Sequence, residues 1–185
     1  MSFRRAAGVL AFAFALAGCS GGSSSTPGTL PTLASPTATV APTAVVLTVP
    51  PAATAHTRVG AAEFVRFFFT ELDKAYQAGT PFPVDGLVDP LCETCRAFAG
   101  YADDIASKHQ HFQAPSFVEI TSEAPPIESG YVYVDFSAKT PTRVLLDASN
   151  AVVARYKQSG PRLHLTVAVH QEPTGWVLRA IKTLR

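Results

Sequence analysis

Charge is scarce in this chain. Asp, Glu, Lys and Arg make up 16% of its 185 residues, against about a quarter in ordinary soluble domains. The formal net charge is +1, so the basic footprint of a nucleic-acid-binding protein is missing and no nucleic-acid partner is expected. Near the N-terminus the longest uncharged apolar run, residues 6–15, falls well short of the about 20 residues that cross a hydrocarbon core. Cysteine is equally sparse, at three residues. No paired acid and base, cofactor motif or metal-ligand set rises from the pattern, so no catalytic residue, cofactor or metal is expected.

The short apolar run has its own meaning. Arg4 and Arg5 precede it, and Leu16-Ala17-Gly18-Cys19 ends it. A positive start, a short apolar stretch and small residues before a cut site make a secretory signal peptide. The last four residues match the bacterial lipobox, in which the thiol of Cys19 takes a diacylglycerol and residues 1–18 are removed. Acyl chains contribute about 0.8 kcal/mol per buried CH₂, so several give lasting attachment. The expected location is the outer face of the cell membrane, lipid-anchored, with general secretory export favoured over the twin-arginine route.

Residues 20–57 carry no Asp, Glu, Lys or Arg and are punctuated by Pro27, Pro31, Pro36, Pro42, Pro50 and Pro51. Such a Ser/Thr/Pro-rich stretch has no helical or strand period and too little apolar surface to offset its ordering entropy. It reads as a disordered tether, with extended reach approaching roughly 100 Å, of the kind that is often O-glycosylated. Residues 58–185 are then one domain, large enough for one core.

Within that domain helices come first. Residues 59–78 place Val65, Phe68, Phe69, Leu72 and Tyr76 on one face, with Thr57 to cap the start and Gly79 to end it. A second helix is expected from Asp89, as N-cap, and Pro90 to about His109. Strands follow at 116–123, 131–138, 143–146, 151–157, 163–169 and 176–184, with Asp147-Ala148-Ser149-Asn150 as a hairpin turn. Helices followed by a run of strands predict an α+β fold, N-terminal helices packed on a curved antiparallel sheet.

Glu63-Phe64-Val65, Tyr76, the stretch from Leu87 to Cys95 and Gly175-Trp176-Val177-Leu178 together resemble an actinobacterial family of lipoproteins without assigned function. These carry a nuclear transport factor 2-like cone domain and a C-x-x-C motif. The resemblance implies a sheet closing on a pocket, a scaffold used for small-molecule binding, isomerase-type catalysis and pure interaction alike, so fold does not decide function.

Cys92 and Cys95 remain once Cys19 is lipidated. An exported compartment is oxidising, and positions i and i+3 on a helix lie within bridging reach, so a structural disulfide is the first reading. A redox-active pair is the second, since a helix N-terminus depresses thiol pKa, although Glu93 between the thiols opposes it. A zinc site with His109 and His111 is excluded on a continuous helix, because Cys95 and His109 would be about 21 Å apart. As acid–base candidates Tyr101, Asp103, Asp104, His164 and His170 need a pocket and a tuning partner. The histidines fall on the strand face opposite the apolar one, and the aspartates on a solvated helix edge. Trp176 reads as a core anchor at a strand end.

The leading expectation is a non-enzymatic domain that binds a small apolar ligand or an envelope protein. A cone-fold isomerase or hydrolase is the alternative, and a thiol–disulfide redox protein a weaker one. A homodimer through the sheet face, using Tyr131, Tyr133 and Tyr156, is a further expectation.

Overall fold

The computed structural model describes residues 47–125, 131–157, 160 and 162–184, and Cys19, with the signal segment, lies outside the described residues. All of these fall in the compact unit Thr43–Arg185. Every buried core side chain among the described residues also lies in that unit, from Ala53 to Ile181, so a chain starting at Thr43 carries the whole of that core and is expected to fold on its own. No helix among the described residues is long and apolar enough to cross a membrane.

The fold is α+β, with three helices and seven strands among the described residues, α1 (Pro51–Thr54), α2 (Arg58–Ala78), α3 (Glu93–Ser107), β1 (His111–Phe112), β2 (Val118–Glu123), β3 (Tyr131–Lys139), β4 (Arg143–Leu146), β5 (Val152–Tyr156), β6 (Leu163–Glu172) and β7 (Gly175–Thr183). The strands form two antiparallel sheets, one of order β2-β3-β6-β7 and one of order β1-β4-β5, and no barrel closes. The strand pattern alone predicts a single curved sheet; the chain instead leaves the larger sheet after β3 and lays β4 and β5 beside β1 in the smaller one before returning as β6.

Helix α2 starts and stops where its local chemistry directs. The Thr57 hydroxyl accepts from the amide of Gly60 at 3.0 Å, satisfying one orphan donor of the first turn. Gly79 takes a left-handed conformation, φ 62°, and its amide bonds back to Ala75. The buried face of α2 then meets the inner face of the larger sheet. Phe69 stacks on Phe136 with ring centroids 4.2 Å apart and meets Phe68, Phe98 and Phe117 edge-on at 5.4 to 5.7 Å. Edge-on and offset contacts of this kind add about 0.5–1.5 kcal/mol each beyond area burial. Along β3 the alternation is as the sequence predicts, Val132, Val134 and Phe136 buried and Tyr131, Tyr133 and Asp135 exposed.

Helix α3 begins three residues later than the Asp89-Pro90 signal indicates, with Cys92 as its N-cap. Asp89 is engaged elsewhere: its Oδ1 accepts from the Leu91 amide at 2.7 Å, and its Oδ2 pairs with Arg179 on β7. Arg179 also reaches Glu172 at 2.7 Å. Residues 87–89 run parallel to β7, with the Asp89 amide donating to Leu178 at 2.8 Å and the Leu178 amide to Leu87 at 2.9 Å. A buried carboxylate with two such partners holds a turn against a strand, and the helix starts only once that turn is complete.

Packing also begins earlier than residue 58, where the sequence sets the domain boundary. Leu47 and Val49 pack against the core, Ala53 is buried, and the Trp176 indole donates to the Ala55 carbonyl at 2.9 Å. Trp176 is the anchor its position predicts, and its partner is this preceding segment.

The three tyrosines expected on one sheet face lie on two sheets. Tyr131 and Tyr133 stand on the outer face of β3, whereas Tyr156 on β5 bonds Tyr101 of α3, hydroxyl to hydroxyl at 3.3 Å.

Candidate functional site

The largely apolar cavity of interest opens between α3, one end of the larger sheet and the open end of the β4–β5 hairpin, with a volume of about 400 Å³. Such sizes and linings are typical of small-ligand sites. Its floor is aromatic: Tyr76 from α2, Phe98 and Tyr101 from α3, and Phe117 just before β2, joined by Leu163 at the start of β6. Helix periodicity puts Phe98 and Tyr101 on a shared face beside the buried small residues Ala99 and Ala102, so α3 sits close to α2 and still turns rings into the cavity. The Tyr76 hydroxyl donates to the Phe98 carbonyl at 2.8 Å, fixing its ring. Burial pushes the pKa of both Tyr76 and Tyr101 up, and the hydrogen bond with Tyr156 adds to the rise for Tyr101, so both phenols stay neutral through the physiological range.

The mouth is cationic. Arg143 opens β4, opposite Tyr156 in the hairpin register, and Lys157 follows one residue later, so strand pairing sets both cations at one end of the hairpin. The Arg143 guanidinium lies over the Phe112 ring at 5.1 Å and the Tyr156 ring at 5.4 Å, within cation–π range. Neither Arg143 nor Lys157 has a salt bridge among the described residues. Among the described residues the lining holds no carboxylate and no imidazole. Arg143 does attract one buried carboxylate at longer range, Asp73 of α2, whose oxygens accept from the Ser116 amide at 2.6 Å and from Gln77 at 3.2 Å. That clamp fixes the loop leading to Phe117.

Of the sequence candidates, Tyr101 reaches this cavity and the others do not. Asp103 is exposed and accepts from the Phe82 amide at 3.2 Å. Asp104 pairs with Lys108 at 2.7 Å. His164 is exposed on β6, and His170 lies against the Tyr131 ring at 5.1 Å on the outer face of the sheet. Arg143 and Lys157 carry no local sequence signal of a site; Arg143 reads as the first residue of a strand.

Cys92 and Cys95 form a disulfide, with Cα atoms 5.3 Å apart. Both sit inside the core, 4% and 0% exposed, and the Cys95 amide donates to the Cys92 sulfur at 3.2 Å. Thiol–disulfide exchange needs an attacking thiolate to reach a sulfur, and burial denies that approach.

No family model matches the chain, and no curated protein matches it. Among solved structures, the intermembrane space region of the chloroplast protein ARC6 is similar with a TM-score of 0.49 and 11% identity, over 70% of this chain and 98% of that one. Aln2 from a Streptomyces species is similar with a TM-score of 0.34 and 14% identity, over 69% of this chain and 88% of that one.

Proposed function

We propose that this protein is a lipid-anchored domain on the outer face of a bacterial membrane that binds a small apolar molecule between α3 and the β4–β5 hairpin. The observation that carries the binding role is the open aromatic cavity of about 400 Å³. A void that well-packed interiors would fill is instead walled by rings fixed through hydrogen bonds and ring contacts. A lining without carboxylate or imidazole favours binding over acid–base catalysis, and the buried bridge disfavours redox exchange. The anchor rests on Leu16-Ala17-Gly18-Cys19 after a short apolar run.

Two experiments test these parts separately. For the cavity, calorimetric titration of residues 43–185 with octanol yields saturable one-site binding, and Ala97→Phe, which fills the cavity from an exposed helix position, removes it. Absence of saturable binding, or equal binding by the variant, refutes the role. For the anchor, the full chain expressed in a bacterial host incorporates labelled palmitate, and Cys19→Ser does not; a label that survives the substitution refutes it.

A further inference from the structure

The mouth of the cavity narrows the class of ligand. Resting on the binding role just proposed, we infer that the ligand is a single-chain amphiphilic acid, its apolar body among Tyr76, Phe98, Phe117 and Leu163 and its anionic head group against Arg143, with Lys157 beside it.

Three observations carry this. First, both cations at the mouth lack an acidic partner among the described residues, and the cavity lining has no carboxylate. A half-buried guanidinium next to an apolar void has given up part of its hydration without a direct ion pair to offset this, Asp73 acting on it only at longer range. Second, Arg143 is held: its guanidinium rests on two rings, Phe112 and Tyr156, at 5.1 and 5.4 Å. A planar, pre-positioned fork matches a carboxylate through two parallel hydrogen bonds, and little side-chain freedom is left to lose on binding. Third, the other polar side chains lining this cavity among the described residues are neutral: the hydroxyls of Thr94, Thr140, Tyr76 and Tyr101. The threonine hydroxyls can donate to an oxygen-bearing head group, the two phenols being engaged with Phe98 and Tyr156, and none of the four supplies a negative charge to hold an ammonium. A volume of about 400 Å³ suits one chain or one ring system and not a two-chain lipid.

The test compares three molecules of one length, octanoate, octanol and octylammonium, titrated into residues 43–185 at low and at raised salt. Octanoate is expected to bind at least about ten-fold more tightly than octanol, with octylammonium weakest, and the octanoate advantage to shrink as salt screens the mouth. Arg143→Gln is expected to erase the octanoate advantage, so that octanoate and octanol bind that variant with equal affinity. Because that variant also loses the ring contacts, Lys157→Gln serves as the second probe: the side chain is exposed, and its loss lowers octanoate affinity by a smaller factor without touching the fold. Equal affinity of wild-type protein for octanoate and octanol overturns the acid inference and leaves the apolar cavity standing. Tighter binding of octylammonium overturns it by sign. Binding of none of the three overturns the inference together with the binding role. A dihexanoyl phosphatidylglycerol arm separates sources: affinity above that for octanoate overturns the single-chain assignment.

Discussion

The indole Nε1–H of Trp176 donates to the carbonyl of Ala55 at 2.9 Å, joining positions 121 residues apart. One bond from the final strand thereby fastens a segment whose composition reads as linker. Trp176→Phe keeps a buried ring and loses the donor. It should lower stability by about 1 kcal/mol, and amide exchange at Ala53 and Thr57 should speed up while exchange in the middle of α2 stays slow. Unchanged exchange at those two amides would show that Leu47, Val49 and Ala53 hold the segment without the indole.

Asp73 gives the fold a pH dependence of unusual sign. Burial raises its folded pKa above the ordinary value of 3.8, outweighing the lowering by hydrogen bonds from Ser116 and Phe117 and by Arg143. The folded state therefore holds this proton more tightly than the unfolded one, so its contribution is full below pH 3.8 and is lost as pH rises through the raised folded pKa. Glu119, held low by Lys139, and Asp147, held low by Ser149, act oppositely and weaken the fold as pH falls through their folded values. Urea midpoints of wild type and Asp73→Asn should converge in acid and diverge above about pH 4, the variant gaining. Asp73→Ala is different: it orphans the buried Ser116 amide and should cost about 1–3 kcal/mol at every pH.

The Cys92–Cys95 bridge closes a very short loop, so it constrains the unfolded chain little. Its removal should cost less than the about 2–4 kcal/mol typical of disulfides. Buried sulfurs predict that neither thiol labels in the folded domain in glutathione buffers, and that both label once urea is added with reductant. Fast labelling of one thiol in the native state near neutral pH would replace the structural reading with the redox one.

Gly79 and Gly60 tolerate no side chain, for different reasons. At Gly79 φ is 62°, and a Cβ would run into the Gln110 carbonyl. At Gly60 the backbone is helical, but a Cβ would strike the Ala55 carbonyl, the group that Trp176 binds. Gly79→Ala should lose roughly 1–2 kcal/mol or more from the left-handed position alone. Gly60→Ala should leave α2 intact by circular dichroism and loosen residues 50–57, the same amides that Trp176→Phe exposes.

How much of this can be read from the chain follows from how far apart the causes lie. Thr57 and Gly79 are neighbours of the helix they bound, and Asp147 bonds Ser149 and Ala151 within its own turn; such elements are legible. The start of α3 is not, because Asp89-Pro90 looks like a cap until Arg179 is brought beside it from β7. The segment at 47–57 passes for linker because its packing partner is Trp176. The cavity stays hidden for the same reason: Arg143, Phe112 and Tyr156 meet only after β4 has paired with both β1 and β5. Tyr101 stands among five sequence candidates, yet its hydroxyl partner lies 55 residues on.

Thr140 and Pro141, on the cavity wall, belong to the link between β3 and β4, and those strands lie in different sheets. Among the described residues no backbone ladder crosses from one sheet to the other. The cavity thus sits on a seam, and the β4–β5 hairpin faces α3 across it like one jaw of a clasp whose catch is the contact between two phenols, Tyr101 and Tyr156. Parting the jaws breaks side-chain contacts and leaves the ladders of the larger sheet whole. On the proposed binding role, entry of a guest should need only local opening, below the free energy of unfolding, and Tyr156→Phe, by removing the catch, should quicken both its arrival and its escape in stopped-flow traces.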